Sequence, residues 1–150
     1  PIQLFLVFIS FANALLPDLM KELFGPNGKR MLKSWTGRYL TEGWRRCAWC
    51  IALQPETEAV SPGPKEQWTI RYINDNEVVQ QAKNGRYLQH GHGDQAGYST
   101  EADEWEYLTP EKNADGSWSF KSRYGKWGAH RGNEVEFMPS NMACEHWSIE

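Results

Sequence analysis

The sequence has little excess charge of either sign. Lys and Arg total 16 against 19 Asp and Glu, for a formal net charge of −3. That balance argues against non-specific nucleic-acid binding, which needs a positive surface to displace counterions. Cysteine is scarce, three residues in all, too few for a disulfide framework and odd in number. No apolar run reaches the ~20 residues that span a bilayer. No G-x-S-x-G elbow, P-loop or Ser/His/Asp arrangement stands in the chain. The expectation is a protein without catalytic residues and without a cofactor. What the chain does hold is 150 residues, one domain's worth, 40% hydrophobic and 13% aromatic, which excludes disorder. Eight Trp, thirteen Gly and eight Pro suit a compact, turn-rich fold.

The first part of the chain differs from the rest. Residues 1–14 carry no charge, and Ile2 to Ala14 reads IQLFLVFISFANA. The run has the length of a secretory signal's apolar region, and Ala12-Asn13-Ala14 matches the small-x-small cleavage pattern. No basic residue precedes it, so a retained apolar segment is the alternative. Residues 15–28 read as a short amphipathic helix and linker. Leu16, Leu19, Met20 and Leu23 recur at helical spacing, Pro17 stands near the start and Gly25-Pro26 ends it.

Residues 29–150 contain one pattern three times. Each copy is an apolar residue, a turn with glycine and an aromatic: Leu32 to Leu40 around Gly37, Val79 to Leu88 around Gly85, and Phe120 to Trp127 around Gly125. The second copy reads as one residue longer. Trp68, Trp105 and Trp147 close the three copies and are expected to meet in one core. Asn84-Gly85 and Tyr124-Gly125 are hairpin turns, and Lys112 to Gly116 is another. Trp68, Ile70 and Tyr72 alternate with polar residues as in a half-buried strand. Pro55, Pro62, Gly63 and Pro64 mark an insertion in the first copy. No copy can bury its own apolar face, so the three must share a core.

With Lys-Ser, Gly-Arg-Tyr-Leu and a closing aromatic strand in this order, residues 29–150 resemble the fascin-like branch of the β-trefoil superfamily. The resemblance implies an all-β fold with pseudo-threefold repeats, in units of about 29–75, 76–115 and 116–150. Trp127-Gly128 departs from the Tyr-Leu pair in the third copy. The ricin-type Gln-x-Trp pattern is absent, since Gln67 directly precedes Trp68.

Chemistry is sparse. Cys47 and Cys50 form C-x-x-C without a second pair. Three apart on a strand they would point to opposite faces, so they read as buried residues or, with Cys144, as disulfide candidates. His90-Gly91-His92-Gly93-Asp94 would need a third nitrogen, such as His130, to hold a metal, and is read as a polar turn. Glu101, Asp103, Glu104, Glu106 and Glu111 read as a solvated acidic face. Arg45, Arg46, Lys121, Arg123, Lys126 and Arg131 interleave with tryptophans near the turns. The candidate ligand residues are Trp44, His90, His92, Asp94, Trp127, His130 and Arg131. Aromatic plates beside polar donors are the chemistry of sugar recognition, so the sequence is expected to encode a secreted carbohydrate-binding or matrix module. The fascin resemblance implies an alternative, a cytoplasmic actin-bundling module. A third reading is a structural component docked to itself or another protein through Ile2 to Phe24.

Overall fold

The computed structural model describes residue 23, residues 28–43, 45–47, 50–52 and 55–59, and residues 62–150. Three units follow one another, each with the same four strands. They are Leu32–Ser34, Tyr39–Glu42, Pro55–Ala59 and Trp68–Tyr72, then Val78–Gln81, Tyr87–His90, Ala96–Ser99 and Leu108–Lys112. The third set is Trp118–Ser122, Trp127–Arg131, Glu134–Met138 and Trp147–Ile149.

One turn opens all three units. Gly37 N donates to Ser34 O and Ser34 N to Arg38 O; Gly85, Ala82 and Arg86 repeat the pair of bonds, as do Gly125, Ser122 and Lys126. The three glycines have φ of 86°, 85° and 78°, the left-handed residue that converts a type I turn into a hairpin with a bulge. The second copy is therefore no longer than the others. Its position matching Leu32 and Phe120 is Gln80, which is buried in the core.

Between units, the last strand of one pairs with the first of the next. Ile70 stands opposite Gln80, and Pro110 opposite Phe120. Trp147–Ile149 returns to Leu32–Ser34, with Ile149 opposite Leu32, and Lys29–Arg30 lies along Trp68 and Thr69. The strands thus form a closed ring and, among the described residues, leave no long unpaired edge. Inside it Leu32, Leu40, Ile70, Val78, Leu88 and Phe137 pack with the strand-opening aromatics. Leu23, helical and fully buried, joins this cluster. The apolar run and the rest of the expected helix lie outside the described residues.

Two of the three closing tryptophans meet the expectation. Trp68 is 0% exposed and Trp147 3%, and their indole N–H groups donate to Leu40 O and Gly128 O, each at 3.0 Å. Trp105 does not, being 41% exposed. The true repeat is a buried glutamate two residues ahead of the core residue: Glu66 before Trp68, Glu106 before Leu108 and Glu145 before Trp147. Each glutamate N–H closes a tight turn onto Gly63, Asp103 or Met142. Leu108 fills the second unit's core position, which leaves Trp105 outside.

The extra length of the first unit also differs from the expectation. It includes a separate hairpin, Arg45–Cys47 against Cys50–Ala52, while Pro55 opens a strand of the unit itself. The hairpin pairs Cys47 with Cys50 across its two strands, so the two are not three apart on one strand. Cys144 is a free thiol in the turn Ala143–Glu145 of the third unit.

A last repeat links the units laterally. Glu42, His90 and His130 hold the same place after their glycines, and each reaches the turn of the next unit. Glu42 accepts from Asn84 N at 3.1 Å, His90 Nδ1 meets Ser122 Oγ at 2.7 Å, and His130 Nδ1 meets Ser34 Oγ at 2.8 Å.

Candidate functional site

The second unit builds a cleft where its second strand ends. His90 N donates to Trp105 O at 2.9 Å, which brings the Trp105 segment beside the strand end. Gly91 N donates to Gln95 O and closes a five-residue loop. A Cβ on Gly91 would stand 2.6 Å from that backbone oxygen, so the loop requires glycine there. Gly93 and Asp94 then both take positive φ, 68° and 64°, and Asp94 is the one non-glycine with positive φ among the described residues. Asp tolerates this conformation better than most residues, at a cost of about 1 kcal/mol or more.

That conformation puts the Asp94 carboxylate between two donors. His90 Nε2 donates to Oδ1 at 2.8 Å, and Lys126 Nζ donates to Oδ2. The lysine bond first, and then the histidine bond, hold the Asp94 carboxyl below the usual carboxylate range. Its side chain nevertheless stays 44% exposed, with lone pairs free for a ligand. His90 is itself 3% exposed. Its ring stacks on Phe137 at 4.3 Å and meets the edge of Tyr124, and its Nδ1 lies 2.7 Å from the Ser122 hydroxyl. It is a buried support for Asp94.

Two exposed rings line the same cleft as the carboxylate. Trp105 and Tyr124 lie 4.4 Å apart and tilted by 33°, and with His92, Asp94 and Lys126 they enclose about 330 Å³. Burial first, then Glu104 and Glu106, raises the Tyr124 phenol. The cleft thus presents a tilted pair of aromatic rings, a fixed anion and a fixed cation. Such a set can stack a ring's C–H face and bond two adjacent hydroxyls.

The sequence candidates divide accordingly. His90, His92 and Asp94 come together here, and Tyr124 and Lys126 arrive from the neighbouring unit's turn. His130 does not. It is buried in the third unit, where Nε2 donates to Gly132 O at 2.7 Å, and burial lowers its pKa. It is therefore no third nitrogen for the glycine-rich loop, and among the described residues no three His, Cys, Asp or Glu side chains converge. Trp127 is half-buried on another strand with Lys121 Nζ 5.4 Å from its ring, and Arg131 is exposed at the hairpin end beyond it. Neither lines the cleft. Trp44 lies outside the described residues. Sequence reasoning missed Tyr124 and the role of Trp105, and noted Lys126 only among the basic residues near the turns. The signal for Trp105 was its place directly before Glu106, off the core register.

No family model matches the chain, and no curated protein matches it. Solved structures do. A designed threefold-symmetric protein, ThreeFoil, superposes with a TM-score of 0.67 at 18% identity, over 82% of this chain and 98% of its own. The fold is a β-trefoil. SeviL, solved bound to the asialo-GM1 saccharide, shares the trefoil with a TM-score of 0.66 at 12% identity, over 82% of this chain and 96% of that one. A mosquitocidal holotoxin matches 81% of this chain with 17% of its length, with a TM-score of 0.69 at 15% identity.

Proposed function

We propose that this trefoil is a non-enzymatic carbohydrate-binding module, and that the second-unit cleft is its sugar site. The observation that carries the reading is Asp94, a strained and doubly bonded carboxylate left half exposed in the cleft that Trp105 and Tyr124 line. The rings supply contact area to a sugar's C–H face, and Asp94 and Lys126 offer an acceptor and a donor for neighbouring hydroxyls. That a trefoil of the same size, SeviL, was solved with a saccharide supports the choice of ligand class. An extracellular setting belongs to the same reading, through the apolar run and Ala12-Asn13-Ala14. Mass spectrometry of the native amino terminus tests it, with a start at Leu15 expected.

The test of binding is a glycan array probed with the wild type, Asp94→Ala and Trp105→Ala. Loss of a charge-assisted bond, about 1.5–3 kcal/mol, should weaken any hit roughly 10- to 100-fold in Asp94→Ala. An array without hits for the folded wild type, or hits untouched by both variants, would refute the site.

A further inference from the structure

The pseudo-threefold axis relates the interfaces between units, and at one place they differ in charge. Counted back from the turn glycines, Trp35, Lys83 and Arg123 correspond, and so do Lys29, Glu77 and Ser117. The strand registers agree. Thr69 stands opposite Lys29 on one side and Gln81 on the other, and Thr109 stands opposite Lys121, next to the Leu108–Val78 pair. Between the second and third units the two positions neutralise each other, because Arg123 donates to both oxygens of Glu77 at 2.9 Å. Between the third and first units they are Ser117 and Trp35, without charge. Between the first and second units they are Lys29 and Lys83, two cations. Both are exposed, and among the described residues neither forms an ion pair. Both line a pocket of about 300 Å³, together with Gln67, Thr69 and Gln81.

We propose that this pocket is a second binding site, one that takes the phosphate or sulfate group of a monoester, whose anion supplies the counter-charge that Glu77 supplies at the neighbouring interface. A lysine ammonium is a compact, mobile point charge and a common phosphate binder. Like charges that share a pocket repel, and a bound anion removes that repulsion. Gln81 is oriented, its Nε2 donating to Gly85 O at 2.9 Å, and the Gln67 amide and Thr69 hydroxyl offer donors for further oxygens. The volume exceeds that of a bare tetrahedral anion and leaves room for the group esterified to it. The pocket shares no residue with the second-unit cleft, so it stands or falls apart from the sugar reading.

The experiment titrates the full chain with the phosphate and sulfate monoesters of glucose, with inorganic phosphate and sulfate, and with sodium chloride, and follows the backbone amide resonances of Thr69 and Lys83. Saturable shifts with at least one monoester are expected, and the tighter of the two names the source of the oxyanion. Lys83→Gln, a change at an exposed turn position, should weaken binding about 10-fold. Lys29→Glu installs the carboxylate that Glu77 provides in the next unit and should abolish it, whereas Asp94→Ala should leave it unchanged. Shifts that chloride reproduces, binding of the inorganic ions without either ester (an adventitious ion only), or affinity that survives Lys29→Glu would overturn the site. So would the absence of saturable shifts in folded wild type, and each of these results would leave the cleft untouched.

Discussion

Gln80→Leu should stabilise the protein. Gln80 is 1% exposed, and its Nε2 has no hydrogen-bond partner. The pseudo-threefold axis relates it to Leu32 and Phe120, both apolar and both buried. Leu40, Leu88, Leu108 and Trp147 line the same space and offer the amide nothing. The void there, about 10 Å³, stands at the lower limit for a single water, so solvent is a poor substitute. An unsatisfied buried donor costs about 1–3 kcal/mol, and leucine replaces glutamine with little change of volume. For a domain of this size each kcal/mol moves the melting point by about 2–4 °C, so a rise of roughly 2–12 °C is expected. Calorimetry and urea unfolding at an unchanged m-value measure it, with near-UV circular dichroism to establish the same packing. The converse change, Leu32→Gln, should lose a comparable amount. A lower urea midpoint for Gln80→Leu would mean that the amide is satisfied by an internal water and that the polar core position is stabilising, which would refute the reasoning.

Trp68→Ala should cost about 3–5 kcal/mol by emptying a core position, whereas Trp105→Ala should change stability by less than about 1 kcal/mol and abolish glycan capture. Equal destabilisation of the two would put Trp105 back in the core. Glu106→Gln tests a buried carboxyl whose Oε2 is unpartnered and whose pKa burial raises, against lesser lowering by Ser99, the Asp103 backbone and Gln89. In the unfolded chain this group ionises first, so wild-type stability falls as pH rises from about 4.3 through the higher folded pKa. Glu106→Gln should therefore match the wild type near pH 4 and exceed it by about 1 kcal/mol at pH 7, and thermal melts at the two pH values that showed no such divergence would contradict the assignment. Asp94→Gly relieves the left-handed strain at a non-glycine residue and removes the bonds to His90 and Lys126, effects of opposing sign in stability, so its melting point should stay within a few degrees of wild type while sugar binding is lost. A large drop in melting point would make Asp94 structural.

The fold was legible where one physical demand recurs locally. Gly37, Gly85 and Gly125 announce the hairpins because only glycine takes φ near 80° cheaply, and all three do. The closing strands were legible through tryptophan in two units and misleading in the third. The constant element there is the glutamate whose N–H closes the turn, and the second unit follows it with Leu108 rather than an indole. A reading keyed to the largest side chain took Trp105 and missed the register. The site was legible in part for the same reason. His90, His92 and Asp94 stand within one short loop, so residue type and spacing found them together. Tyr124 and Lys126 reach the cleft only because the third unit's first turn docks beside the second unit's strand end. Ring closure creates that contact, and no local pattern encodes it.

His130 shows how the shared scaffold yields a site in one unit and a plain latch in another. Both histidines use Nδ1 to hold a serine of the next unit, so neither nitrogen is available for change without loosening the ring. The difference lies wholly at Nε2. In the third unit the chain turns back at once through Gly132, whose carbonyl accepts the hydrogen bond from Nε2 and seals the imidazole. In the second unit Gly91 to Gln95 lengthens the connection, the carbonyl is replaced by the Asp94 carboxylate, and the negative charge so introduced draws in Lys126 from the adjoining turn. A loop insertion beside a structural histidine therefore converts a satisfied hydrogen bond into an oriented, half-exposed anion. The ring itself supplies the supports of that anion, which is why an exposed carboxylate can sit in a strained conformation without a separate framework to hold it.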